Sequence, residues 1–188
     1  MTAAGVVMCW GDNSYGQLGA GDDFFEDAPT PVTGLTFSSV SAGSYHTCGI
    51  TTTGLAFCWG DNSFGELGGG PSAPFSSATP IAVAGGLRFK SISAGRYSTC
   101  AITTGGAAYC WGDNSYFQLG STGSFGSDSP SAVIGGHTDF LTVAVGVRHA
   151  CAAAASGVYC WGSNVLGALG NEFQAIRQAT PTKTGTPQ

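Results

Sequence analysis

Along this chain the apolar positions never settle into the three-and-four spacing of an amphipathic helix. They fall instead into short runs rich in Val, Ile, Thr and aromatic residues, cut by glycine-centred turns, a pattern that predicts a succession of short strands. Three such runs end at a cysteine: VSAGSYHTC (40–48), ISAGRYSTC (92–100) and VAVGVRHAC (143–151). Each is followed by a turn, at Thr51 to Gly54, Thr103 to Gly106 or Ala154 to Gly157, and then by a second short strand ending in Cys-Trp-Gly. Helix is expected only as single turns.

The Cys-Trp-Gly element sets a period. It begins at Cys9, Cys58, Cys110 and Cys160, at intervals of 49, 52 and 50 residues. That spacing suits a four-stranded propeller blade and is too long for ankyrin-type or leucine-rich units. The residues that follow repeat as well: WGDNSYGQLG (10–19), WGDNSFGELG (59–68), WGDNSYFQLG (111–120) and WGSNVLGALG (161–170). Between them lie proline-centred segments, PTPVTG (29–34), ATPIAVAGG (78–86) and SPSAVIGG (129–136). Asn13, Asn62, Asn114 and Asn164 are placed to make Asx-turns, and Gly16, Gly65 and Gly167 supply backbone freedom. Phe117 stands where those glycines stand, so its loop is either strained or differently shaped. Leu18, Leu67, Leu119 and Leu169 are expected to point into the core, as are Trp10, Trp59, Trp111 and Trp161.

These segments, with the Gly-x-x-His element before two of the cysteines, resemble the regulator-of-chromosome-condensation repeat. The resemblance runs through essentially the whole chain in register, and the cysteine pairs make it similar to the cysteine-bearing extracellular members of that family. It implies an all-β propeller of antiparallel four-stranded blades, seven in complete members. The chain is read as one segment, 1–188, with repeats at 1–34 (partial), 35–86, 87–136 and 137–188. The repeat alignment sets Met1 opposite Ile50 and leaves no counterpart of Leu35 through Cys48 after Gly185. A partial or open ring of about four blades is therefore expected, since seven blades at this period need about 350 residues. A fragment of a longer chain is the favoured explanation; two copies completing one another, or a small irregular ring, are the alternatives.

Composition narrows the partners. The formal net charge is −5, with only six Lys+Arg in 188 residues, too few for the basic face that nucleic acid or an anionic membrane requires. No apolar run approaches the ~20 residues of a membrane-spanning helix, so no membrane insertion is expected. The opening MTAAGVVMC loosely resembles a lipoprotein cleavage site but lacks a basic n-region. Six of the seven cysteines form pairs that bracket the turns, and in an antiparallel hairpin such pairs face each other. Disulfides Cys48–Cys58, Cys100–Cys110 and Cys151–Cys160 are expected, each contributing roughly 2.5–3 kcal/mol through loop closure. Zinc fits the spacing poorly, and free buried thiols are the plain alternative. Disulfides imply an oxidising compartment: extracellular, cell-surface or periplasmic. Cys9 is left unpaired.

Candidate chemistry is sparse. The resemblance gives His46 and His149 a structural hydrogen bond to a neighbouring blade. His137 has Asp139 nearby but no recurring nucleophile, so no catalytic residue, cofactor or metal is assigned. Asp22, Asp23, Glu26 and Asp27 surround Phe24 and Phe25 in a loop read as solvated, with calcium or a partner contact as the lesser reading. Aligned positions Tyr15, Phe64, Tyr116 and Leu166, and also Tyr45, Tyr97 and Val147, land on one rim, where they serve as contact anchors or as packing between blades. The expected function is a secreted or cell-surface module for protein–protein interaction or scaffolding, its partner another protein or further copies of itself. A guanine-nucleotide exchange or enzyme-inhibitor propeller is the first alternative; paired cysteines argue against a nuclear exchange factor. A propeller hydrolase or lyase is the second, and it lacks a recurrent catalytic set.

Overall fold

The computed structural model describes residues 1–123, 125–171 and 175–185. Fourteen strands account for nearly all regular structure: β1 (Met8–Gly11), β2 (Glu26–Pro31), β3 (Phe37–Ala42), β4 (His46–Thr51), β5 (Ala56–Asp61), β6 (Ser76–Ala82), β7 (Phe89–Ala94), β8 (Ser98–Thr103), β9 (Ala108–Gly112), β10 (Ser127–Ala132), β11 (Phe140–Val145), β12 (His149–Ala154), β13 (Gly157–Ser163) and β14 (Arg177–Lys183). Among the described residues, helix is limited to two single 3-10 turns, Ala84–Gly86 and Val165–Gly167.

The strands form three antiparallel four-stranded meanders, β3-β4-β5-β6, β7-β8-β9-β10 and β11-β12-β13-β14, and one pair, β1-β2. These are propeller blades. The arc they form is not closed, because β1 pairs only with β2 and β14 only with β13. Inner strands β3, β7 and β11 lie side by side along the axis.

The apolar core lies between blades, not within them. Cys48, Ile50, Cys58 and Leu67 of one blade pack against Phe89, Ala94, Ala101 and Trp111 of the next. Cys100, Ile102, Cys110 and Leu119 then pack against Phe140, Val143, Ala150 and Trp161. Leu18, Leu67, Leu119 and Leu169 are all buried. Each later tryptophan sits under the loop of the preceding repeat: the Trp111 indole donates to the Glu66 carbonyl at 2.7 Å, and Trp161 to the Gln118 carbonyl at 3.0 Å. Trp10 departs from the expectation of burial. It is 60% exposed, because no preceding loop of this chain covers it.

One further expectation needs correcting, and one open alternative is decided. The Asx-turns are made by the aspartates, one residue earlier than expected: Asp12, Asp61 and Asp113 accept from the amides of Ser14, Ser63 and Ser115. The asparagines instead clamp the whole loop, each accepting from the leucine amide five residues on (Leu18, Leu67, Leu119, Leu169) while its amide donates to carbonyls at the far end of the loop. At Phe117 the loop keeps its common shape and accepts strain. Its amide bonds the Asn114 carbonyl, as Gly16 and Gly65 bond those of Asn13 and Asn62, and its φ is +64°.

Candidate interaction face

Strand direction sorts the loops into two ends. The β3–β4, β7–β8 and β11–β12 turns emerge at one end, and so do the long loops before β2, β6, β10 and β14. Among the described residues, ten of the fifteen exposed large hydrophobic residues lie in these loops: Tyr15, Phe24, Phe25, Phe64, Phe75, Phe125, Val147, Val165, Leu166 and Ile176. Apart from Trp10, the exposed aromatic side chains among the described residues are therefore gathered on one face.

The face has an inner and an outer ring. In the inner ring, one residue from each axial turn packs against a loop residue of the preceding repeat. Tyr45 meets Tyr15 with ring centroids 5.6 Å apart, and Tyr97 meets Phe64 at 5.1 Å. The third such position is Arg148, whose guanidinium lies 4.3 Å from the Tyr116 ring centre. That corrects the alignment of Val147 with Tyr45 and Tyr97. Val147 corresponds instead to Ser44 and Arg96, one position earlier in the turn. Tyr45 and Tyr97 also stack at 6.1 Å, with Arg96 reaching over both. Leu166 occupies the fourth loop position, fully exposed and at φ +58°.

Sequence reasoning found Phe24 and missed the rest of the outer ring. Its members are Phe24, Phe75, Phe125 and Ile176, exposed by 72%, 85%, 88% and 74%. Each sits two residues before the outer-strand partner of a Trp-Gly glycine, pairs that run Gly11↔Glu26, Gly60↔Ser77, Gly112↔Ser127 and Gly162↔Gln178. The available signal was an apolar residue recurring at the repeat period inside segments that otherwise share little sequence.

Beneath the face, the loop carboxylates are engaged internally. Gln17 accepts from the Tyr15 amide and donates to Asp12; Gln118 does the same for Tyr116 and Asp113. Glu66 replaces this glutamine in the second repeat. One oxygen accepts from the Phe64 amide at 2.8 Å, and the other is buried without a partner. Burial, reinforced by the Asp61 and Asp113 charges, pushes its pKa up to about 7. His46 is fully buried and bonds the Thr99 hydroxyl of the next blade through Nε2 at 2.8 Å, and burial lowers its pKa to about 4. In the acidic loop, the Asn13 amide holds the carbonyls of Asp22 and Phe24.

Away from the face, Cys48–Cys58, Cys100–Cys110 and Cys151–Cys160 are disulfides between directly opposed residues of β4/β5, β8/β9 and β12/β13. Cys9 is free and half-buried, and burial raises its thiol pKa. It lines an open groove of about 400 Å³ along the unpaired edge of β1, with Val7, Trp10 and Val40. Among the described residues, no group of His, Cys, Asp and Glu is gathered to hold a metal, and no helix is long and apolar enough to cross a membrane. His137 and Asp139 lie 3.8 Å apart at the opposite end of the blades.

The repeat model of the regulator of chromosome condensation matches residues 4–50, 53–102 and 105–153. The chain belongs to the regulator of chromosome condensation (RCC1) repeat family. It is 32% identical over 126 residues to the RCC1 domain-containing protein RUG3, mitochondrial, of Arabidopsis thaliana, spanning 65% of this chain and 28% of that one. Its fold superposes on Prp20p of Saccharomyces cerevisiae with a TM-score of 0.79 at 22% identity, covering 95% of this chain and 46% of that chain. The entire ectodomain of the receptor kinase CR4 from Physcomitrella patens matches with a TM-score of 0.50 at 26% identity, over 71% of this chain and 31% of that one. This RCC1-repeat chain thus spans less than half the length of each of these proteins.

Proposed function

We propose that this RCC1-repeat segment is a non-catalytic protein-docking module of a secreted or cell-surface protein, and that it docks through its aromatic face. The one-sided placement of its exposed aromatic residues carries this reading. Tyr and Arg are among the residue types that dominate interface hot spots, and the inner ring presents them already packed on one another, so little side-chain entropy is lost on binding. Three hairpin disulfides favour an oxidising compartment, and the likeness to a receptor-kinase ectodomain points the same way. Prp20p is described by its binding to Gsp1p and histones, which supports protein docking as a use of this fold.

The test is a paired set of surface variants. Purified protein is immobilised and probed by surface plasmon resonance with fractions of the source's extracellular extract. Tyr97→Ser with Phe75→Ser is expected to weaken the captured interaction at least tenfold, whereas Leu141→Ser at the opposite end leaves it unchanged. Equal loss from both ends, or none from either, would remove the aromatic face as the docking surface.

A further inference from the structure

Charge is not spread evenly over the aromatic face. Of the six cations in the chain, Arg96, Arg148 and Arg177 lie at this end, all from the third and fourth repeats. The other three, Arg88, Lys90 and Lys183, lie toward the opposite end, where Arg88 donates to the Thr53 carbonyl. Arg177 is anchored over the Phe117 ring at 4.6 Å and donates to the Ser115 carbonyl at 3.1 Å. Arg96 and Arg148 are held differently. Each is stacked on tyrosine, and among the described residues neither makes an ion pair. The nearby carboxylates are already occupied: Asp12, Asp61 and Asp113 accept from Ser14, Ser63 and Ser115.

Resting on the docking role of this face, we infer that its third-and-fourth-repeat side binds a carboxylate-bearing segment of a partner protein, gripped by Arg96 and Arg148. A guanidinium held against an aromatic ring still carries donors in a planar fork, and that fork can receive a carboxylate through two parallel hydrogen bonds. Arg96 stands at the rim of an open depression of about 360 Å³ on the propeller axis, lined by Ala42, Gly43, Ala94, Gly95, Gly146 and Val147. Its Nε is buried without a hydrogen-bond partner. Its lining mixes Ser44 and Arg96 with Ala94, Val145 and Val147, so it admits an apolar side chain next to the acidic one. Where the second and third repeats place Tyr45 and Tyr97, the fourth places Arg148 on the equivalent ring, so the contact is kept and gains a charge. In a chain of net charge −5, an acidic partner meets local attraction at this point and repulsion elsewhere, which fixes its register.

The experiment selects a displayed random dodecapeptide library on the immobilised, oxidised protein and measures the enriched peptides by fluorescence anisotropy. Enriched sequences are expected to pair Asp or Glu with an apolar residue. They should lose at least tenfold in affinity to the Arg96→Gln/Arg148→Gln protein, and weaken as salt rises from 50 to about 500 mM. Unchanged thermal unfolding of that double variant separates lost binding from lost structure. Peptides that need Tyr97 but carry no acidic bias overturn the carboxylate assignment and leave the docking face standing. No enrichment, or enrichment indifferent to Tyr97, overturns both. A concentration-dependent dimer in sedimentation that disappears on neutralising Asp22, Asp23, Glu26 and Asp27 would make a second copy the occupant and overturn the separate partner.

Discussion

Trp111 and Trp10 begin two nearly identical decapeptides, WGDNSYFQLG and WGDNSYGQLG, and they end in opposite environments. Trp111 is fully buried, with its indole bonded to Glu66 of the preceding repeat, whereas Trp10 is mostly exposed. The difference owes nothing to local sequence. A blade buries its tryptophan only when the previous repeat lays a loop across it, so stability here is a property of neighbours, as in other repeat architectures.

That contrast is easiest to break at its strongest point. Trp111→Ala should destabilise the chain by about 3–5 kcal/mol, the usual cost of emptying a large buried site. Trp10→Ala should cost less than about 0.5 kcal/mol in the same chain. Urea unfolding followed by far-UV circular dichroism reads both. Iodide quenching adds a direct check, since only the Trp10 share of the fluorescence should be accessible.

The same comparison extends to sulfur. Cys58, Cys110 and Cys160 occupy the position of Cys9, and each is bonded to the strand that Cys9 lacks beside it. Replacing Cys100 and Cys110 together with alanine should cost about 2.5–3 kcal/mol, while Cys9→Ala should be close to neutral. Non-reducing peptide mapping with unfolding curves tests this. A large loss from Cys9→Ala would mean that the isolated position carries more of the fold than its open groove suggests.

A third contrast sets Glu66 against Gln17 and Gln118. The glutamines each satisfy a backbone amide and a neighbouring aspartate, but Glu66 has a buried oxygen with nothing to bond. Folded Glu66 keeps its proton up to about pH 7, whereas an unfolded glutamate releases it near 4.5. The folded state therefore holds more protons in that window, and stability falls as pH rises through it. His46 acts in the opposite sense, since its folded pKa of about 4 against 6.5 unfolded removes stability as pH falls. Comparing Glu66→Gln with the parent cancels the histidine contribution. The variant should gain about 2–3 kcal/mol at pH 8 and almost nothing at pH 4.5, measured by urea midpoints. A gain independent of pH would show that packing, not ionisation, distinguishes the two side chains.

How far these features are legible in the sequence depends on their range. The blade order and the hairpins are written in a local code, Cys-Trp-Gly followed by Asp-Asn and a glycine, because turn chemistry and strand alternation act within a few residues. The exposure of Trp10 is not, since it depends on a surface that another repeat supplies. Nor is the outer ring of Phe75, Phe125 and Ile176. Those residues lie in loops of differing composition, and only the register across β5/β6, β9/β10 and β13/β14 shows them to be equivalent. The loop roles of Asp12 and Asn13 were exchangeable on paper because both side chains accept amide hydrogens, and strand geometry alone separates them.

The smallest expected effect concerns Gly65 and Phe117, which fill one loop position with very different side chains. Gly65 has φ +88°, and a Cβ there would lie 2.8 Å from the Cα of Asp128 on the next outer strand. Gly65→Ala therefore meets both backbone strain and a contact with main chain that cannot yield, and should cost about 2 kcal/mol. Phe117 adopts the same left-handed conformation, at a cost of about 1–2 kcal/mol for an L-residue, and its ring lies under the Arg177 guanidinium. Phe117→Gly relieves that strain but gives up the cation–π contact, worth about 0.5–1 kcal/mol, and restores flexibility to the unfolded chain at a similar cost. The opposing contributions should leave stability within about 0.5 kcal/mol of the parent. What should change is Arg177: its guanidinium loses its ring, so Arg177→Gln should destabilise less in the Phe117→Gly background, where only its bond to the Ser115 carbonyl is left to lose. A double-mutant cycle on these two residues measures that coupling. A coupling near zero would mean that the aromatic ring at position 117 is tolerated only because the strand beside it stands further off, and that the arginine above it is incidental.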